Sequence, residues 1–312
     1  MSRAPEQPTW TNRPEVGSDL SLRLMVWLTR VLGRSAVRLT LTPIACWFWL
    51  TTPSARRDSA FYLSRVLNRP ATARDTFNHY RTFAATILDR VYFLRGNREL
   101  FDLTIIGRDN LYRHLEKGNG VLMIGAHMGS SEALRIMARN QQKWDVSMAM
   151  FEENAQKIGR VLRAVDPQLS DMIIPLGRVD SMLRIQARLD RGDMVGFLAD
   201  RAFGDAPAQI IDFLGAPAAF PSGVLRMAAV LKRPVVAMAG LYLGGNRYEL
   251  HFVELTDFTD IARSGRKQAI EQALNQYAKT LETLCLRAPF NWFNFFDFWA
   301  TARQSQVHKR SQ

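Results

Sequence analysis

The chain is predicted to adopt an α/β fold: a mostly parallel central sheet flanked by helices, preceded by a helical, membrane-associating segment. Three observations predict this. From about Leu103 onward, short apolar runs alternate with amphipathic ones, the order expected of parallel strands joined by crossover helices. The apolar run 120–126 stops at His127 and gives way to a helical pattern over 130–143, as a doubly buried strand feeding a helix does. Between residues 20 and 69 there are eight arginines and a single acid, Asp58.

The elements run in order along the chain. Residues 1–19 hold three prolines among mixed polar residues and read as a mobile tail. Residues 20–52 read as the membrane-associating segment. Within it Arg23, Arg30, Arg34 and Arg38 recur at spacings of 7, 4 and 4 and form one stripe on a helix, with Leu24, Val26, Leu28, Val31 and Leu32 among them. This is the pattern of a helix lying at a lipid surface. The uncharged stretch 39–52 is shorter than the ~20 residues a span needs, and Pro43 interrupts it. With Trp47 and Trp49 suited to the interface, it reads as a re-entrant or tilted anchor. Its positive flanks place the domain after it on the cytoplasmic face.

Residues 53–300 read as the α/β domain and 301–312 as a polar tail. Two helices are expected over 54–95. Strands are expected over 121–126, 146–150, 172–176, 194–199, 234–239 and 248–255. Helices are expected over 181–191, which Gly192 stops, and over 222–231 and 268–286. A chain of 312 residues that is 47% hydrophobic and 22% charged can bury one sizeable core. Cys46 and Cys285 offer no disulfide framework and no metal spacing, so a reducing compartment is expected and no metal or redox cofactor is implied. The formal charge of +12 attracts polyanions. An anionic membrane and an acidic carrier protein fit it. Nucleic acid does not, because basic residues and aromatics are not interleaved as in a binding module.

The chemistry concentrates at His127 and Glu132, in the run Ile124-Gly-Ala-His-Met-Gly-Ser-Ser-Glu132. An imidazole at the mouth of a strand can take a proton from a hydroxyl. A carboxylate one turn into the next helix can fix its tautomer. Asp200 also comes after an apolar run, so it is expected in the same crevice. Arg160 and Arg178 are candidate anion contacts, since guanidinium suits phosphate and carboxylate. Phe220-Pro-Ser-Gly223 opens a helix whose amides, from Gly223 on, can hold a phosphate or an oxyanion. Seven aromatics crowd residues 290–299 and read as an apolar surface with indole donors, suited to a bulky acceptor.

The His-x4-Glu motif has company. Ile174-Pro-Leu-Gly-Arg178, Leu198-Ala-Asp-Arg201, Phe213-Leu-Gly215, Phe220-Pro-Ser-Gly223 and Lys232-Arg-Pro-Val-Val236 come after it in order. From about Leu20 to Trp299 the chain resembles the lipid A biosynthesis acyltransferases, the late lauroyl and myristoyl transferases. The resemblance implies transfer of a fatty acyl chain from acyl carrier protein or coenzyme A to a lipid hydroxyl at the bacterial inner membrane. His127 would be the base, Glu132 its orienting group, and Asn154, Arg160, Arg178, Asp200, Arg201 and Gly223 would bind substrate. Two departures stand out. Ser222 replaces the glutamate of the Phe-Pro-Glu-Gly block in the wider glycerolipid acyltransferases. The family's basic run after the Trp-containing stretch is missing, with Asp297 near its place, which points to a less anionic acceptor, such as an aryl-polyene-type lipid. A thioesterase using the same base, or a non-catalytic basic membrane protein, is the alternative.

Overall fold

The computed structural model describes residues 33–133, 144–151, 172–201 and 207–303. Among them an N-terminal helical layer comprises α1 (Gly33–Val37), α2 (Leu41–Thr51), α3 (Pro53–Val66) and α4 (Ala73–Leu94). Sequence sets these boundaries. Thr52 precedes Pro53, which disfavours helical backbone there, and Pro53 then opens α3 at a position that needs no amide hydrogen. Thr72 and Asp75 form a reciprocal capping box on α4, and Arg69 grips Asp75 from outside.

The sheet contains β1 (Asp102–Ile106), β2 (Val121–Gly125), β3 (Val146–Phe151), β4 (Ile173–Leu176), β5 (Met194–Leu198), β8 (Pro234–Tyr242) and β9 (Arg247–Asp257). Its order is β1-β9-β8-β2-β5-β3-β4. Every neighbouring pair is parallel except β8–β9. A separate antiparallel hairpin pairs β6 (Ala208–Phe213) with β7 (Ala216–Pro221). Helices α5 (Asp109–Glu116), α6 (Ser181–Asp190), α7 (Gly223–Leu231) and α8 (Arg266–Arg287) complete the described elements.

Strand β2 shows why the sheet is sandwiched. All five of its residues are buried. Leu122 and Ile124 enter a core with Tyr277, Leu281 and Leu284 of α8. Val121 and Met123 enter another with Leu88, Tyr92 and Phe93 of α4 and Leu111 and Leu115 of α5. Alternate side chains of a strand point to opposite faces, so an unbroken apolar run requires cover on both. The mostly parallel sheet flanked by helices is thus as expected from the sequence.

The arginine stripe is used differently from the expectation. Arg34 forms two bonds of 2.7 and 2.8 Å to the buried carboxylate of Asp89 on α4. Arg38 also reaches Asp89, at 3.5 Å, and bonds to the Tyr242 hydroxyl. Tyr248 donates to Asp89 as well, at 2.9 Å. These two arginines therefore fasten α1 and the turn after it to the domain instead of facing lipid. Arg23 and Arg30 lie outside the described residues.

Candidate active site

Strands β2 and β5 run side by side, with Gly125 opposite Leu198. Continuing that register by two residues sets His127 against Asp200, where the chain leaves the sheet at its carboxyl edge. His127 Nδ1 lies 2.8 Å from Asp200 Oδ1. The other carboxylate oxygen accepts from the His127 amide at 3.1 Å and from the Trp292 indole nitrogen at 3.0 Å. Asp200 is 1% exposed. Burial alone would raise its carboxyl, but His127, Arg201 and the Trp292 indole outweigh that and hold it below the usual carboxylate range. An ionised carboxylate only accepts, so the imidazole proton facing it sits on Nδ1. Nε2, with its lone pair, has no partner among the described residues, and the side chain is 34% exposed. Burial depresses the imidazole below its ordinary value. Arg201 and Arg90 press the same way, while Asp200 partly offsets them.

The loop after His127 depends on two glycines. Gly129 has φ +57°, and a Cβ there would fall 1.9 Å from the Gly240 carbonyl oxygen. A Cβ on Gly240 would in turn meet Ser130 O at 2.2 Å. The loop can therefore cross β8 closely enough for the Ser130 amide to donate to Gly240 O at 2.8 Å. The Tyr277 hydroxyl donates to Gly125 O at 2.8 Å.

Glu132 does not meet the imidazole; Asp200 occupies Nδ1. Glu132 instead faces Arg90 of α4, with Nε 3.0 Å from Oε1, and accepts from the hydroxyls of Ser130 and Ser131 at 3.3 and 3.2 Å. A His–Glu couple was the expectation; the contacts correct it to a His–Asp couple beside an Arg–Glu pair. The reason is geometric. Adjacent parallel strands bring Asp200 level with His127, while the turn 128–131 carries Glu132 away toward α4.

The other expected residues divide. Arg201 stays at the site, where it donates to Phe293 O at 3.1 Å, lies 4.9 Å from the centre of the Phe296 ring, and has no partner for its buried Nε among the described residues. Burial lowers its pKa, against the pull of Asp200. Arg178 comes after β4, three places from β2 in the sheet, or about 14 Å at normal strand spacing. Its exposed side chain lies beside Asp180, so the structure does not bring it to His127. Gly223 opens α7, which runs back to feed β8, so that first turn lies on the carboxyl side of the sheet with His127. The Ser222 hydroxyl is already engaged, donating to Pro207 O at 3.1 Å and accepting from Arg226 Nε at 3.1 Å. Asn154 and Arg160 lie outside the described residues.

The aromatic run 290–299, expected to face an acceptor, serves largely as packing inside the domain. Trp292, Phe293, Phe298 and Trp299 are buried. Their indole donors are spent inside the domain, Trp292 on Asp200 and Trp299 on Phe213 O at 3.3 Å. The run packs as edge-to-face rings against Tyr62, Phe213 and Phe220. Burial of these rings withdraws the aromatic part of the argument for a less anionic acceptor and leaves the missing basic run and Asp297 as they stand. Of the residues at the site, Arg90 is not singled out by the sequence, and Trp292 is read there only as part of the aromatic surface. Neither carries a local signal, because each reaches the site through tertiary packing.

Among the described residues no group of His, Cys, Asp and Glu is placed to hold a metal ion. No curated protein compared with the chain matches it. Residues 20–301 match the family model described as bacterial lipid A biosynthesis acyltransferase. A match over that much of the chain shows that the chain belongs to the bacterial lipid A biosynthesis acyltransferase family.

Proposed function

We propose that the protein transfers a fatty acyl chain from an acyl carrier protein or coenzyme A thioester to a hydroxyl of a lipid A-type acceptor. It would do so at the cytoplasmic face of a bacterial inner membrane. Family membership implies acyltransferase activity, an acyl donor and a lipid acceptor; the donor, mechanism and location are our reading. The observation that carries it is the His127–Asp200 couple, in which Nδ1 faces the carboxylate and Nε2 has no partner among the described residues.

In this mechanism Nε2 takes the proton of the acceptor hydroxyl as its oxygen attacks the thioester carbonyl carbon. A C–O bond forms and the carbonyl oxygen takes the negative charge. Arg201 and Arg90 bear on the imidazole electrostatically and supply a positive field for that charge. The C–S bond then breaks, and the imidazolium returns its proton to the departing thiolate. Asp200 stabilises the imidazolium between these steps, and the Arg90–Glu132 pair fixes the mouth of the site.

Membrane contact in this reading falls to α2. Ile44, Trp47 and Leu50 recur every three residues and are 44%, 64% and 58% exposed, with Leu39 exposed just before them. A helix of 11 residues is about 16 Å long, and no helix among the described residues is long and apolar enough to cross a membrane. The ridge suits shallow insertion, with the +12 chain drawing in anionic lipid and an acidic carrier.

The test is product analysis with labelled acyl carrier protein and a purified lipid A precursor. Labelled lipid supports the reading. Labelled free fatty acid without lipid product would assign the same base to hydrolysis.

A further inference from the structure

Three residues from the far end of the chain grip the loop that carries His127. The Gly129 amide donates to Asn291 O at 2.9 Å, and Met128 and Trp292 form an isolated β-bridge. The Phe293 amide donates to His127 O at 2.8 Å. The Phe293 carbonyl accepts from Arg201, and the Trp292 indole donates to Asp200. Residues 291–293 thus bind both members of the His–Asp couple and the cation beside it.

The strap is itself held from two sides. The Asn291 side chain accepts from the Tyr242 amide at 2.7 Å and donates to its carbonyl at 3.0 Å, tying the strap to the end of β8. On the other side the Trp292 carbonyl accepts from His79 Nε2 at 2.9 Å. That leaves His79 Nδ1 to accept from Ser59 Oγ at 2.8 Å. His79 is fully buried, stacks on Phe293 and Phe295, and is pushed down to about 4 by burial, with the Trp292 carbonyl opposing. It stays neutral and keeps this orientation.

We infer that residues 291–293 are a positioning strap for the His127–Asp200 couple, with Trp292 its positioning residue. With Oδ1 facing Nδ1, the indole and the His127 amide take the remaining oxygen. The carboxylate cannot rotate without breaking three bonds. The imidazole proton therefore stays on Nδ1, and Nε2 stays free and outward. This inference rests on the reading of His127 as the base.

The test replaces Trp292 in the full-length protein by benzothienylalanine, which keeps the ring shape and swaps the N–H for sulfur. Trp292→Phe is the second variant. Two quantities are read. One is the His127 tautomer by ¹⁵N NMR. The other is kcat and KM for transfer from acyl carrier protein to a lipid A precursor. A hydrogen bond to a charged group of this kind is worth about a factor of ten or more. The expected result is a single Nδ1–H tautomer in the parent and a mixture in both variants. The kcat should fall about tenfold with KM within about twofold, and the acid limb of the pH profile should move. An unchanged tautomer overturns the inference whatever happens to activity, since loss of turnover alone would then reflect packing. If the parent itself transfers no acyl chain, the proposed function fails, and the NMR arm still decides on the strap.

Discussion

His127 and Asp200 stand 73 residues apart in sequence, yet their side chains meet at 2.8 Å. They do so because β2 and β5 are parallel neighbours in register, and each chain leaves the sheet at the same level. The couple is a product of topology, and its chemistry follows from which nitrogen it leaves free. Asp200→Asn keeps the shape but offers an N–H where a carboxylate stood, so it favours the proton on Nε2. Transfer should fall by about 10²–10⁴-fold with little change in KM, measured by initial rates on the labelled lipid product. A loss below tenfold in a folded variant would remove Asp200 from the mechanism.

Arg90 presses on His127 through its charge and is paired with Glu132. Arg90→Ala should therefore raise the His127 pKa and move the acid limb of the kcat/KM profile upward. Glu132→Ala leaves Arg90 unpaired and should move it downward. The double variant should fall short of the sum of the two losses, because both act through one pair. Additive effects with a fixed acid limb would contradict this arrangement.

His79 provides a stability test independent of activity. Its folded value, about 4, lies below the ordinary 6.5, so the unfolded chain binds the proton more readily. Stability from this group is present above pH 6.5 and is lost as pH falls toward 4. Between pH 7 and 5 the parent should lose about 2 kcal/mol more than His79→Gln does, as measured by denaturant unfolding at the two pH values. Equal losses would mean that His79 titrates normally.

Much of this organisation is legible in the sequence. The run Val121–Gly125 is buried on both faces, so its unbroken hydrophobicity announces a central strand and puts His127 at its mouth. The hairpin β6–β7 is not legible, because Pro217 and Pro221 sit inside β7 and proline argues against a strand except at edges or strand ends. Asp200 is visible as a strand-end acid, but its partner is fixed by strand order, which no local pattern encodes. Trp292 is misread for a related reason. An indole in an aromatic cluster offers the same pattern whether its N–H faces a ligand or a buried carboxylate. Arg34 and Arg38 form a stripe that suits lipid equally well until Asp89 is known to lie behind them.

The Asp89 network predicts a large effect far from the site. Asp89→Ala leaves Arg34 and Arg38 without their counter-charge and Tyr248 without its acceptor. Removing one member of a buried pair typically costs about 3–5 kcal/mol, and the melting temperature should fall accordingly. A change below about 1 kcal/mol would show that α1 is not anchored there.

The α2 ridge makes the opposite prediction, a binding loss without a stability loss. Replacing Ile44, Trp47 and Leu50 together by serine removes side chains that the fold leaves exposed. Binding to anionic vesicles should weaken by about 10²–10³-fold, while the unfolding midpoint barely moves. Unchanged co-sedimentation would place the anchor elsewhere.

The decisive measurement is transfer of labelled acyl chain from acyl carrier protein to a lipid A precursor by the parent and by His127→Ala. His127 contributes a free nitrogen at the surface of the site and little to either core. The variant should stay folded, melting somewhat below the parent because buried Asp200 loses its Nδ1–H partner, while losing about 10²–10⁴-fold in transfer. Near-normal turnover by a folded His127→Ala protein would contradict the assignment of this histidine as the base.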